Sequence, residues 1–317
     1  MNDFENNKES DYEIDFRELI AVLWLNKKFI VIFTTFVALV SVLYSLSLTN
    51  IYTAQTVIAP TTSSSGSGLI SQYSGLASMA GINLPQGGPE NQMAVALNLV
   101  KSKKLLDSLM LYESFLPDLL AAKSWNMQTN TVIYNDALYD KKNNKWVRKV
   151  SLPYKQIPSS QEALAVFSGL VSISQNNKTQ LVTLNVSHLS PVVAQQWSLW
   201  ILKEINAILA NMNIISTQAS IDYLNNQIKI TPYSELRTIF YQLIKEYTRS
   251  MMLAEVNPEY VLTTIDPPVI PEIKSRPKRS SICILGTLFG GMLSILIILV
   301  RNYGFSKRDE LDIFKWR

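Results

Sequence analysis

Residues 29–48 have the sequence FIVIFTTFVALVSVLYSLSL, which contains no charged residue, no proline and no amide side chain. Residues 281–300, SICILGTLFGGMLSILIILV, form a second uncharged run of equal length. At a rise of about 1.5 Å per residue, a helix of this length spans about 30 Å, the thickness of the hydrocarbon core of a bilayer. The two runs therefore predict transmembrane helices at 29–48 and 281–300.

A signal peptide and a buried core helix account less well for these runs. A cleavable signal peptide has an apolar region of about 7–15 residues and a small-residue cleavage site, whereas the first run is longer and no A-x-A-like site follows it. Buried core helices of a soluble protein remain the alternative, although an uncharged run of this length is the usual criterion for a transmembrane helix.

Basic residues beside the first run indicate its orientation. Lys27 and Lys28 directly precede it, and the next basic residue after it is Lys101. Cytoplasmic flanks carry the excess of Lys and Arg, so the N-terminus is predicted to be cytoplasmic. Because two spans return the chain to its starting side, we expect cytoplasmic tails at 1–28 and 301–317 and one domain at 49–280 outside the cytoplasm.

The composition narrows the classes of function. Apolar residues make up 47% of the 317 residues and charged residues 17%, compared with about 25% charged residues in an average soluble domain. The net charge of +4 is too small to indicate a nucleic-acid-binding protein. A single cysteine and a single histidine exclude an intrachain disulfide and disfavour a metal centre.

Sequence motifs of catalysis are also missing. The chain has no G-x-x-x-x-G-K-[ST] phosphate loop, no H-E-x-x-H zinc motif and no G-x-S-x-G nucleophile elbow. His188 ends a predicted strand, where a structural or capping role is expected. We therefore expect no catalytic residue, no cofactor and no metal, and we interpret the chain as a protein that is not an enzyme.

The segment between the two runs contains both strand and helix patterns. Residues 51–58 predict a strand that leaves the membrane, and the alternating segments at 170–174 and 181–186 predict a β-hairpin. Helical spacing is found at 91–111, at 115–122 with an interruption near Pro117, and at 161–167. The segment TTSSSGSG at 61–68 is typical of a flexible loop, and residues 123–158 show no pattern that predicts an arrangement.

The longest helical pattern begins at Ser190-Pro191, an N-cap residue followed by proline at the first helical position. Apolar residues then recur every three or four positions over about 191–229, and a second helix is predicted at about 233–256. Two helices joined by a short break predict an antiparallel hairpin, and residues 260–265 predict a last strand. We expect the apolar first half of the long helix to pack on the sheet and its polar second half to project outward.

Together these elements predict an α+β membrane protein in which two transmembrane helices flank an α/β base domain with a long extended helical hairpin. The apolar stripe on the outer half of the hairpin needs a partner. Copies of the same chain arranged in a ring would supply one, and a hairpin that is complete by itself is the alternative.

Three glycines of the second run have an expected role beyond core packing. Gly286, Gly290 and Gly291 give the predicted helix a face of small residues. In lipid, such a face lets helix backbones approach closely, and packing drives helix association there. We therefore expect a helix–helix interface at these glycines.

A proline-rich connector precedes the second run, with Pro267, Pro268, Pro271 and Pro277. Prolines favour a stiff, extended chain, so this segment is expected to set the geometry between the domain and the membrane. An ordinary linker is the alternative.

Five segments carry a resemblance to a known family: IDFRELIAVLWLNKKF at 14–29, YTAQTVIAP at 52–60, SGLASMAGINLP at 74–85, LNVSHLSPVVAQQW at 184–197 and EYVLTTIDPPVIPEIKSRPKR at 259–279. In this order they resemble the Wzz-type polysaccharide co-polymerases, the bacterial chain length determinant proteins. The resemblance implies a bacterial inner-membrane protein with a periplasmic α/β base and a long helical arm, assembled as a homo-oligomeric ring.

The resemblance also implies a function and partners. Such proteins regulate the modal chain length of O-antigen or a related surface polysaccharide made by a Wzy-type polymerase, and they are not known as enzymes. The implied partners are that polymerase, further copies of the chain, the lipid bilayer, and the polysaccharide or its lipid-linked precursor; no nucleic acid is implied.

Two alternative functions depend on the predicted tails. The exopolysaccharide group of the family carries a cytoplasmic tyrosine kinase, and the 17 residues after Val300 are too few for one. An adaptor for capsule or exopolysaccharide polymerisation and export that works with a separate tyrosine kinase is therefore the alternative. A two-span sensor would need a cytoplasmic output module, and neither predicted tail is long enough to fold one.

Overall fold

The computed structural model describes residues 16–61, 89–176 and 178–304. The chain divides into two compact units, one formed by residues 1–49 with 276–317 and the other by residues 50–275. The loop predicted at 61–68 and the tails predicted at 1–28 and 301–317 lie largely outside the described residues.

Both units contain helices, and the strands belong to the unit of residues 50–275. The helices are α1 (Phe16–Leu25), α2 (Lys27–Ser47), α3 (Pro89–Leu99), α4 (Lys103–Leu109), α5 (Phe115–Leu120), α6 (Ser160–Leu170), α7 (Pro191–Ile230), α8 (Ser234–Val256) and α9 (Arg279–Leu299), followed by a π-helical turn at Val300–Gly304. The strands are β1 (Tyr52–Pro60), β2 (Ala122–Asn126), β3 (Thr131–Tyr134), β4 (Tyr139–Asp140), β5 (Lys145–Trp146), β6 (Val171–Gln175), β7 (Val182–His188) and β8 (Leu262–Asp266).

In the first unit, α2 and α9 pack along each other. Each is long and apolar enough to cross a membrane. Both begin two residues before the uncharged runs, because basic residues are tolerated in the first turn at the end of a span. A turn at Asn26, whose side-chain Nδ2 donates to the carbonyl of Val22 at 2.9 Å, separates α1 from α2.

The second unit is built on a four-stranded sheet with strand order β6-β7-β1-β8. All three strand pairs are antiparallel, and Tyr52 lies opposite His188 at the start of β1. A register shift between Val57 and Ile58 marks an irregularity where β1 pairs with β8. Residues of β7 alternate between buried and half-buried positions, as expected of a strand with one face on a core.

Helices cover the buried face of this sheet. The first half of α7 packs against β1 and β7, and α6 packs against β6 and β7. Trp197 of α7 is fully buried, with its ring centroid 4.8 Å from that of Phe115 and 6.5 Å from that of Phe167. The prediction that the first half of the long helix packs on the sheet is therefore correct.

The second half of α7 pairs with α8 to form the helical hairpin. Ser190 caps α7, because its Oγ accepts a hydrogen bond from the N–H of Val193, and Pro191 occupies the first turn. A second apolar cluster lies between the two helices and comprises Ile221, Leu224, Phe240, Leu243 and Tyr247. With α7 at 40 residues, its length is about 60 Å. The α+β fold with two helices of transmembrane length and a long helical hairpin is thus confirmed.

Two helix predictions were wrong in detail. The single helix predicted at 91–111 is two helices, α3 and α4, because Ser102 caps a new helix by accepting a hydrogen bond from the N–H of Leu105. Pro117 does not interrupt the helix predicted at 115–122. It lies in the first turn of α5, where a backbone N–H is not needed, and the chain becomes β2 at Ala122.

Two small antiparallel hairpins, β2–β3 and β4–β5, lie in the region for which the sequence predicts no arrangement. Asn130 and Asn144 take positive φ angles of 50° and 51°, a backbone conformation that Asn tolerates better than most residues. The ring of Tyr139 lies 5.5 Å from that of Tyr134 and 5.3 Å from that of Trp146. Aromatic contacts therefore join the two hairpins.

Candidate functional site

The predicted glycine face of α9 lies against α2 of the same chain. A Cβ atom added at Gly286 would lie 2.6 Å from the Cβ of Ser41, and one added at Gly290 would lie 2.9 Å from the Cβ of Val37. Carbon atoms do not approach so closely without a shift of the helices, so both glycines are needed for α2 and α9 to pack at this separation.

Gly291 borders this face without being required by it. A Cβ atom added there would lie 3.6 Å from Cγ2 of Thr34, an ordinary contact. The close approach thus depends on Gly286 and Gly290, which are four residues apart. Because the face is used within one chain, a role for these glycines between copies of the chain stays a prediction.

Serines extend the contact between the two helices. Ser45 of α2 and Ser294 of α9 are buried, and Ser41 Oγ donates a hydrogen bond to the carbonyl of Ile282 at 3.1 Å. We call the contact formed by these serines with Gly286 and Gly290 the small-residue seam. It provides both close packing and an interhelical hydrogen bond, the two interactions that hold helices together in lipid.

The remaining faces of the two helices are apolar and exposed. Phe36, Leu39 and Leu43 of α2 are 59–68% exposed, as are Leu288 and Phe289 of α9 at 59% and 62%. Helices in the core of a soluble protein would bury these side chains. Exposure over such a length is what a bilayer accommodates.

The predicted proline-rich connector is held against the sheet unit over part of its length. Pro268 is buried, and its carbonyl accepts a hydrogen bond from Nε2 of Gln195 at 2.9 Å. The N–H of Ser275 donates to the carbonyl of Ile51 at 2.8 Å. The chain therefore enters and leaves this unit side by side.

The four prolines do not form one site. Pro267 is exposed and Pro271 is half-buried in the segment after β8. Pro277 belongs to the unit of the two span helices, and its peptide bond with Arg276 is cis.

His188 is the centre of a buried polar network that connects α5 to the turn between β7 and α7. The N–H of Ser190 donates to Nδ1 at 3.0 Å, which leaves Nε2 as the protonated nitrogen, and Nε2 donates to the backbone carbonyl of Asp118 at 3.0 Å. Both ring nitrogens are therefore occupied by backbone groups, which agrees with the structural role predicted for this residue.

Burial shifts the pKa values of two side chains in this network. Burial raises the pKa of the Asp118 carboxyl, although its hydrogen bond from Tyr134 Oη at 2.5 Å acts in the opposite direction. Burial likewise lowers the pKa of His188. The network thus favours neutral forms of both side chains, and it is suited to holding α5 in place.

Arg148 fixes the chain between β5 and α6. Its guanidinium donates to both carboxylate oxygens of Glu162, at 2.6 and 3.1 Å. It also donates to the carbonyls of Lys155 and Gln156, at 2.5 and 2.9 Å. Glu162 is at the same time part of the capping box with Ser159 at the start of α6. This bidentate pair defines the shape of the loop at 149–157.

Some of these features had a signal in the sequence and others did not. The capping box is visible as S-x-x-E at Ser159–Glu162, and the turns of the two hairpins carry Asn residues. The pairing of Arg148 with Glu162 and the contact of Ser41 with Gly286 join distant segments, which no local pattern reveals.

Within residues 16–61, 89–176 and 178–304, no three His, Cys, Asp or Glu side chains are grouped closely enough to hold a metal ion. The absence of enzymatic activity and of cofactors stays an expectation from the sequence.

Comparisons with known proteins agree with the resemblance found in the sequence. Residues 12–119 match the family model of the chain length determinant protein, Wzz. No curated protein matches the chain.

Two solved structures are similar to the chain at low identity. A full-length bacterial polysaccharide co-polymerase is 14% identical with a TM-score of 0.39, and the match covers 96% of this chain and 100% of the other. A fragment of WzzB, a polysaccharide co-polymerase from Salmonella Typhimurium, is 11% identical with a TM-score of 0.33, and the match covers 72% and 100%. At these scores the fold assignment rests on the chain's own strands and helices.

Proposed function

We propose that this chain, whose residues 12–119 match the model of the chain length determinant (Wzz) family, is a scaffold that regulates the modal chain length of O-antigen or a related surface polysaccharide. A Wzy-type polymerase builds the polysaccharide. This protein regulates its length through the geometry of its oligomer and through contacts with the polymerase. The family match is the observation that carries the proposal.

The architecture supports this function in two ways. Two apolar helices with exposed outer faces suit a protein held in the bacterial inner membrane. The 40-residue helix α7 and its partner α8 extend beyond the sheet, and such an arm offers a long surface for neighbouring copies or for a growing glycan.

The proposed topology places both termini in the cytoplasm and residues 49–280 in the periplasm. It is supported by Lys27 and Lys28 before the first span. Alkaline phosphatase inserted after Lys178, in the turn between β6 and β7, should be active in cells, whereas a C-terminal fusion should be inactive. The opposite pattern would contradict the topology.

A deletion strain tests the function itself. Silver-stained lipopolysaccharide ladders from the strain that lacks this chain should lose their modal length, and the wild-type gene on a plasmid should restore it. An unchanged ladder together with reduced capsule or exopolysaccharide would instead favour the adaptor that works with a separate tyrosine kinase. Unchanged lipopolysaccharide, capsule and exopolysaccharide would refute both functions.

A further inference from the structure

We propose that neighbouring copies of this chain join head to tail through two different surfaces of the sheet unit, a basic loop on one copy and an acidic edge on the next. The proposal rests on the proposed function to the extent that a length-regulating scaffold is an assembly of copies. It adds the surfaces of the sheet unit that meet.

The basic loop comprises residues 141–157. Between Asp140 and Glu162 the chain carries six basic residues and no acidic residue; the basic ones are Lys141, Lys142, Lys145, Arg148, Lys149 and Lys155. Lys141 and Arg148 are engaged within the unit, by the carbonyl of Val132 and by Glu162. The other four lysines are exposed.

The tip of the basic loop is apolar as well as charged. All residues from 149 to 157 are exposed, including Leu152 at 92%, Tyr154 at 55% and Ile157 at 64%. Arg148 holds the backbone of this loop through the carbonyls of Lys155 and Gln156. A loop held in one conformation that exposes such side chains is pre-organised for binding.

The acidic edge comprises residues 255–273. The chain contains no basic residue between Arg249 and Lys274. The same segment contains four acidic residues, which are Glu255, Glu259, Asp266 and Glu272. Its exposed apolar side chains are Val256, Ile265, Val269, Ile270 and Ile273. The acidic edge therefore complements the basic loop in charge and shares its unburied apolar surface.

The two surfaces belong to segments that join opposite ends of the strand order β6-β7-β1-β8. In the described part of the chain, β8 is an end strand that pairs with β1 on one side. The basic loop leads directly into α6, which packs on β6 and β7 at the other end of the sheet. One copy can therefore use its basic loop and its acidic edge at the same time.

A contact between two different surfaces is heterologous, so each added copy leaves one surface of each kind free until the assembly closes. Such contacts produce rings when the rotation between copies closes on itself. A bilayer with anionic lipids would attract the basic loop but repel the acidic edge. A second copy satisfies both surfaces, and it also covers the aliphatic side chains of each.

Cysteine cross-linking in native membranes tests the arrangement. In a full-length Cys283→Ser background, Leu152→Cys and Ile270→Cys are placed in separate chains with different tags and treated with a short bismaleimide. Cross-links should form between the two kinds of chain and not within either kind alone. A chain that carries both cysteines should give a ladder of multimers.

Ile230→Cys combined with Ile270→Cys is the matched control, because Ile230 is 72% exposed but lies at the C-terminal end of α7, in the helical hairpin. This pair should not cross-link. Cross-links between two Leu152→Cys chains would indicate an isologous contact and would overturn the proposal, as would the absence of cross-links between the two kinds of chain.

Charge reversal provides a second test in detergent solution. Lys149→Glu with Lys155→Glu, or Asp266→Lys with Glu272→Lys, should reduce the oligomer to smaller species in light scattering, and a mixture of the two variants should restore mixed oligomers. An unchanged oligomer mass in either variant would overturn the proposal. This holds also if the loop variant keeps its oligomer mass but no longer binds anionic vesicles. Cross-links without any change in polysaccharide length on deletion would refute the proposed function alone.

Discussion

The side-chain amide of Asn206, on α7, hydrogen-bonds to both backbone groups of Leu262, on β8. Nδ2 donates to the carbonyl at 3.0 Å, and Oδ1 accepts from the N–H at 2.9 Å and from the N–H of Val261 at 3.1 Å. The buried amide thus makes hydrogen bonds to β8 of the kind that the backbone of a neighbouring strand would make. It attaches the long helix α7 to β8, the end strand of the sheet. The residues of β8 are part of the acidic edge.

Asn206→Ala is expected to destabilise this attachment. It leaves three backbone groups without a partner in a buried position, and each such group costs about 1–3 kcal/mol. The free energy of unfolding of the detergent-solubilised chain should fall by at least about 2 kcal/mol, measured by chemical denaturation. Asn226→Ala, at an exposed position of the same helix, is the control, and an equal effect of both substitutions would contradict the role of Asn206.

The small-residue seam predicts a graded response to alanine. Gly286→Ala and Gly290→Ala place a Cβ atom within 3 Å of Ser41 or Val37 and should lower the thermal stability in detergent by the equivalent of about 1–3 kcal/mol of overpacking. Gly291→Ala should have little effect, because its added atom meets an ordinary contact.

A compensating substitution tests whether this loss is steric. Ser41→Gly removes both the Oγ and the Cβ atom that an alanine at position 286 would meet, so it should restore part of the stability lost in Gly286→Ala. Failure of the double variant to recover any stability would show that the seam is not limited by this contact.

The sequence predicted those features that depend on local periodicity. The uncharged runs predicted α2 and α9, and the apolar spacing after Ser190 predicted α7 within one residue at its C-terminal end. The glycine face of α9 was also visible. The helix that packs against this face could not be predicted. A small-residue face can pack equally well on α2, at Ser41 and Val37, or on a second copy of the chain.

Long-range contacts account for most of what the sequence did not reveal. The hairpins after Ala122 are held by contacts among Tyr134, Tyr139 and Trp146 rather than by an apolar period of their own. The amide of Asn206 was hidden for a similar reason, because a single polar residue within an apolar stripe does not indicate which backbone it meets.

His188 is expected to make the protein less stable in mild acid. Burial lowers its pKa in the folded state below the ordinary value of 6.5, so the stability that the neutral ring contributes is present above pH 6.5 and is lost as the pH falls through the folded-state value. The free energy of unfolding should decrease by up to about 1.4 kcal/mol per pH unit in that window.

His188→Gln removes the titrating group from this network. Its unfolding free energy, measured by denaturant titration, should change less than that of the wild type between pH 7 and about pH 5. Parallel curves for the two proteins would mean that His188 does not control the acid sensitivity.

Asp118 has the opposite dependence. Burial raises its pKa above the ordinary 3.8, so the stability linked to the neutral acid is present below pH 3.8 and is lost as the pH rises through the folded-state value. Asp118→Asn should therefore be more stable than the wild type at pH 7, because the amide oxygen still accepts from Tyr134 without a buried charge. The gain in melting temperature should shrink at pH 4, and Asp136→Asn, at an exposed position, should show no gain.

Arg148→Lys should loosen the basic loop without unfolding the sheet unit. A lysine keeps the charge beside Glu162 but cannot donate at the same time to both carboxylate oxygens and to the carbonyls of Lys155 and Gln156. Trypsin should then cleave after Lys149 or Lys155 several times faster than in the wild type, while the melting temperature changes little. Glu162→Gln, which keeps the side-chain shape but weakens the ion pair, should have a smaller effect. Equal cleavage rates in all three proteins would show that the loop is held by other contacts.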